Sequence, residues 1–191
     1  MKLGLSPMRT GATPGTNLLV RLCGVAAIAG GALRVADAFL AATTAVHAQQ
    51  IAYAVTDLML LLGLCGVYLP RRKTLGLVGF LGFAASIAGL VIVRSSGLNV
   101  LGPNSYLIGA TVTLIGVVAM GAATLVRKAF PKLGPALWIA SFVVGLIGLT
   151  SAKLGWAVAL AGVIFGVGFV VAGIHLLQPV STISREERGM S

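Results

Sequence analysis

Three side chains in this sequence place a formal charge inside long apolar runs: Arg34, Asp37 and Asp57. A charge in hydrocarbon is costly unless it is paired or hydrated, so each marks a point where the chain either neutralises itself or handles a polar ligand. Arg34 and Asp37 are three residues apart and therefore share a helix face. The gap at 41–49 is short enough to make the flanking helices antiparallel neighbours, which would turn Asp57 toward Arg34.

Depth groups the same residues. Counted from Leu18, Arg34 lies about 24 Å along its helix and Asp37 about 28 Å, whereas Asp57 lies about 10 Å from the opposite surface counted from Gln50. All three fall in one half of the membrane, where Arg94, Tyr53, Asn104 and Tyr106 complete a candidate set. In a ligand site the carboxylates would carry protons or cations, and the arginines would present planar forks to carboxylate or phosphate. In a structural site the same charges would close into ion pairs that fix helix register and bind nothing, since Arg34 and Arg94 balance Asp37 and Asp57.

Other chemistry finds little material. The sequence has no Gly-rich phosphate loop, no His-Glu-x-x-His and no cysteine pair at metal spacing, and its polar segments are too short for a nucleotide site. His47 and His175 lack partners at a metal-binding interval, while Cys23 and Cys65 lie in apolar runs where neither a metal site nor a disulfide is expected. No catalytic residue, metal or cofactor is therefore assigned. An enzyme would have to work with Asp37 and Asp57 inside the membrane.

The elements that position these residues follow from composition. Of 191 residues 58% are hydrophobic and 9% charged, and the mean hydropathy is +1.02. Soluble chains carry nearer 25% charge. Six apolar runs, at about 18–40, 50–69, 75–93, 106–126, 133–150 and 155–177, stand between polar tails at 1–17 and 178–191. Crossing about 30 Å of hydrocarbon takes about 20 helical residues, and a chain in lipid must satisfy its own amides. The runs show no β-barrel alternation. The expectation is an all-α integral membrane protein, a compact bundle of six transmembrane helices.

Net charge is +10, yet the basic residues sit in short gaps between runs, so the lipid bilayer and not nucleic acid is the partner implied. One side collects Lys2, Arg9, Arg21, Arg71, Arg72, Lys73, Arg127, Lys128, Lys132, Arg185 and Arg188, against Arg94 and Lys153 on the other. The positive-inside rule then puts both termini in the cytoplasm. A competing reading takes the first run, ending at Val46-His47-Ala48, as a cleaved signal peptide, although Arg34 and Asp37 interrupt it.

Small residues recur at close spacing: Ala27 and Gly31, Gly76 with Gly79 and Gly82, Gly145 and Gly148, Gly162 and Gly166. They let helix backbones approach, either within the bundle or, for Gly162 and Gly166, in a homo-oligomer or membrane complex. Trp138 and Trp156 fit an interfacial belt. The 94–105 segment reads as a connection, or alternatively as a lid over the charged cluster. Leu69-Pro70-Arg71-Arg72 and Leu125-Val126-Arg127-Lys128 echo each other as basic turns between runs.

The stretches YAVTDLMLLLGLCGVYLPRRKTLGLVGFLGF at 53–83, FPKLGPALW at 130–138 and LAGVIFGVGFVVAGIHLL at 160–177 resemble a loose group of small bacterial multi-pass membrane proteins with no established activity. The resemblance implies a bacterial inner-membrane setting and carries over no functional residues. The expected function is a non-enzymatic accessory, assembly or sensing component. The alternatives are a small-solute or proton-coupled transporter using Arg34, Asp37 and Asp57, and a membrane enzyme acting on lipid or quinone.

Overall fold

In hydrocarbon a backbone amide would have only the chain itself to bond, and each of the six apolar runs is helical, the form that meets that demand. The computed structural model describes residues 14–40, 46–95, 104–150 and 154–178. These form α1 (Pro14–Leu40), α2 (Val46–Tyr68), a 3-10 turn (Leu69–Arg71), α3 (Arg72–Ser95), α4 (Ser105–Val126), α5 (Leu133–Leu149) and α6 (Gly155–Leu177), with no strand among the described residues.

Four helical stretches are long and apolar enough to cross a membrane: Leu18–Phe39, Ile51–Ser95, Leu107–Val126 and Trp156–Leu177. The second contains α2, the 3-10 turn and α3, and α5 contributes the shorter apolar stretch Leu133–Gly148. Large apolar side chains face outward along these helices, among them Phe39, Leu77, Leu81 and Val126. In water such a surface would drive association. Lipid solvates it.

Helices α1 to α4 begin before the apolar runs they contain, because nothing stops hydrogen bonding where hydropathy falls. Helix α2 starts at Val46, so His47 belongs to its first turn and not to a loop. Pro70 sits in the 3-10 turn that ends α2, where its missing amide costs nothing. Helix α3 breaks at Gly76, whose φ of 62° and ψ of −157° belong to a region that only glycine enters readily.

Each helix touches the next, and α6 closes on α1. The most extensive seams are α3 on α4 and α1 on α6, followed by α5 on α6 and α1 on α2, while α2 and α3 meet least of the consecutive helices. Reciprocal glycines build the two largest. A Cβ on Gly166 would lie 2.6 Å from the Gly31 carbonyl oxygen, and one on Gly173 2.5 Å from that of Gly24. On the other seam a Cβ on Gly82 would lie 2.7 Å from the Gly116 oxygen, and one on Gly109 2.8 Å from that of Gly89. In each helix the two glycines are seven residues apart, so the same face returns to the seam after two turns, and the crossed order makes each pair antiparallel. Gly31, Gly82 and Gly166, read from sequence as packing residues, do pack within the chain.

The core fills the middle with Leu64, Val67, Leu75, Met120, Trp138 and Phe169. Trp138 does not join an interfacial belt as expected. It is fully buried, 4.9 Å from the Phe169 ring centre, because Gly168 and Gly121 vacate room for the indole. Trp156 is exposed at the start of α6.

Candidate functional site

The charged cluster is divided in a way the sequence did not anticipate. Arg94, near the end of α3, takes Asp57 on α2 as its ion-pair partner, its Nε–H donating to Oδ2 at 2.8 Å and Nη2 joining the same oxygen. Asp57 therefore does not turn to Arg34. Two antiparallel helices gave Asp57 two neighbours, and the long reach of Arg94 from the facing helix decided between them.

Where Arg34 goes follows from the register of α1, α2 and α6. A Cβ on Gly63 of α2 would lie 2.7 Å from the Ala27 Cβ of α1 and 3.4 Å from the Phe169 ring of α6. Seven residues on in α1 and seven back in α2 and α6, the same three faces present Arg34, Thr56 and Gly162. The geometry agrees: a Cβ on Gly162 would meet the Arg34 guanidinium at 3.9 Å and nothing nearer. Gly162 thus leaves space beside a cation and is not a close helix contact. Arg34 makes no ion pair among the described residues.

Polar atoms at this level lack partners. Thr56 is 1% exposed, and its hydroxyl has no hydrogen-bond partner among the described residues, nor does the buried Oδ2 of Asp37. Other buried hydroxyls show what is missing. Ser86 donates to the Gly82 carbonyl at 2.8 Å, Thr124 to Gly121 at 2.6 Å and Ser141 to Ala161 at 2.8 Å. Asp37 stands within electrostatic reach of both Arg34 and Asp57 without bridging to either. A buried polar group without a partner forfeits about 1 to 3 kcal/mol, so two at one level describe a place built for something polar.

The remaining candidates divide. Tyr53 is half-buried one turn before Thr56 and already interacts with a neighbour. Asn104 is exposed at the N-cap of α4, where its backbone carbonyl accepts from Ile108 at 3.0 Å and its side chain makes no cap bond. Tyr106 lies in the first turn of α4, and its side chain is outside what the structure describes. The lid reading of the 94–105 segment falls mostly on 96–103, also outside the described residues. Thr56 was missed from sequence. Its signal was a hydroxyl one heptad from Gly63 on the same face.

A second polar assembly sits at the opposite end. Arg71, part-buried in the 3-10 turn, donates from Nε to the Ala129 carbonyl at 2.8 Å and from Nη1 to Val67 at 3.3 Å, with its guanidinium carbon 4.7 Å above the Phe130 ring centre. His175 meets the edge of the same ring at 6.0 Å and pairs with Gln178 at 3.2 Å. Nearby, Cys23 and Cys65 are free thiols lining a mainly apolar cavity of about 250 Å³ with Leu19, Leu69 and Arg72. Comparison with protein-family models, with curated proteins and with solved structures returned no match to this chain.

Proposed function

We propose that this chain is a six-span integral membrane protein of the bacterial inner membrane, with both termini cytoplasmic, that binds and translocates a small polar solute at Arg34, Asp37 and Thr56. The topology rests on the basic residues, eleven of which fall on one side. The observation that carries the activity is that, among the described residues, the buried Thr56 hydroxyl and Asp37 Oδ2 have no partner and Arg34, at their level, has no ion pair. A purely structural charge network would close on itself, and among the described residues this one closes at Asp57 and Arg94 and leaves Arg34 and Asp37 open.

A pattern in the seams also supports transport. Gly109 and Gly116 of α4 follow Gly24 and Gly31 of α1 by eighty-five residues, and Gly166 and Gly173 of α6 follow Gly82 and Gly89 of α3 by eighty-four. The α1/α6 seam thus maps onto α4/α3. Three helices separate equivalents, so neighbouring antiparallel helices give the two halves opposite directions, the inverted arrangement many transporters use. The α2/α3 contact departs from the scheme, since it lacks the close backbone approach of α5 and α6.

A second reading, a non-enzymatic accessory component, draws on the Asp57–Arg94 pair, which locks α2 to α3 and consumes half of the charge set. Uptake of labelled solutes by liposomes holding wild type, Thr56→Val and Asp37→Asn separates the two. Transport predicts wild-type uptake that both variants lose while staying folded. Absence of any uptake, with both variants destabilised, leaves the accessory reading standing.

A further inference from the structure

The site's charge balance narrows its ligand, and we infer that Arg34, Asp37 and Thr56 together hold a small net-neutral zwitterion, an anionic group on Arg34 and a cationic ammonium on Asp37. This rests on the ligand-site reading above and goes further by naming the ligand's charge pattern.

Charge comes first. With Asp57 claimed by Arg94, the polar level between α1, α2 and α6 retains one cation and one anion among the described residues, Arg34 and Asp37. A free anion would satisfy Arg34 but bring a second negative charge beside Asp37. A free cation would meet Arg34 with the same penalty reversed. In a low-dielectric setting either arrangement leaves a like-charge contact and an unsatisfied group. A molecule bearing both charges leaves neither.

Spacing comes second. Arg34 and Asp37 are one turn apart on the same face, about 5 to 6 Å between β-carbons, yet they do not bridge to each other. A zwitterion whose opposite charges are a few ångströms apart, as in an α- or β-amino acid, spans that interval. The planar guanidinium suits a carboxylate fork, and the Asp37 Oδ2 lone pairs, lacking a donor among the described residues, suit an ammonium. The Thr56 hydroxyl, on a side chain only 1% exposed, offers a donor to the carboxylate. Gly162 supplies volume, because the space its side chain would take opens onto Arg34.

The test is competitive uptake into proteoliposomes holding the full chain, with glycine, β-alanine, acetate and methylammonium as probes. Glycine or β-alanine should accumulate, and acetate and methylammonium should neither accumulate nor compete at equal concentration. Arg34→Gln and Asp37→Asn should each reduce zwitterion uptake at least tenfold, and Thr56→Val several-fold, with folding checked by size exclusion for each. Uptake of acetate or methylammonium alone, above that of protein-free liposomes, overturns the zwitterion assignment while leaving the transport reading intact. No uptake of any probe by folded wild type, combined with no thermal shift on adding them, overturns both.

Discussion

Asp57 and Arg94 form the upper of two rungs between α2 and α3. The lower is Tyr68 stacked on Phe83, with ring centres 4.3 Å apart. Eleven residues separate Asp57 from Tyr68 and eleven separate Phe83 from Arg94, a rise of about 16 Å on each helix. Eleven residues are close to three full turns, so both rungs leave the same face. Between them the two backbones stay apart, and α2 rests on α1 instead.

That ladder predicts a non-additive response. Asp57→Asn or Arg94→Gln strands one charge on a surface the pair only partly screens, with side chains 24% and 39% exposed. Allowing for that exposure, each single change should cost about 1 to 2 kcal/mol, and the double change less than their sum. Thermal unfolding in detergent, run as a double-mutant cycle, measures the coupling. Strict additivity would show that the two side chains do not act as a pair.

The glycine seams predict that equivalent-looking substitutions behave differently. A side chain at Gly166 or Gly89 collides with backbone of the facing helix, so Gly166→Val and Gly89→Val should cost more than about 2 kcal/mol or prevent assembly. At Gly162, where the nearest atom is the Arg34 guanidinium at 3.9 Å, Gly162→Ala should leave the unfolding temperature within a degree or so of wild type. Fluorescence-detected size exclusion after heating ranks the three. A Gly162→Ala protein as unstable as Gly166→Val would place Gly162 in a helix seam.

Hydropathy made the helices legible, because a run of apolar residues in this composition has only one way to satisfy its amides. It could not assign the partner of Asp57. That choice depends on how far α3 stands from α2, which is set by Tyr68, Phe83 and the break at Gly76, and no spacing in the sequence reports it. Trp138 was misplaced for a related reason. Its position near a run's end suggested an interface, whereas the deciding feature was the pair of glycines, Gly168 and Gly121, on two other helices. Thr56 reads as an ordinary helix residue until Ala27, Gly63 and Phe169 reveal which face it shares.

The buried indole gives a spectroscopic prediction. Trp138 is wholly enclosed while Trp156 faces outward, so Trp156→Phe should leave an emission that is blue-shifted and insensitive to a water-soluble quencher. Trp138→Ala should cost about 3 to 5 kcal/mol through the cavity it opens against Phe169. Trp138→Phe should cost less, because it also removes an indole N–H that has no acceptor among the described residues. Emission from Trp156→Phe that tracks added quencher would return Trp138 to the surface.

Arg71 ties together two turns that are far apart in sequence, since its Nε–H reaches Ala129, its Nη1 reaches Val67 and its face covers Phe130. A lysine carries the same charge but cannot donate to two carbonyls in a fixed fork while lying flat on a ring. Arg71→Lys should therefore lower stability by about 1 to 2 kcal/mol, and Arg71→Met by somewhat more because two carbonyls lose their donor. Phe130→Leu should cost its own packing and, combined with Arg71→Lys, add less than the separate losses, since the ring contact is already gone. If charge alone mattered, as in a residue that only orients the chain in the membrane, Arg71→Lys would unfold at the wild-type temperature and Arg71→Met alone would change.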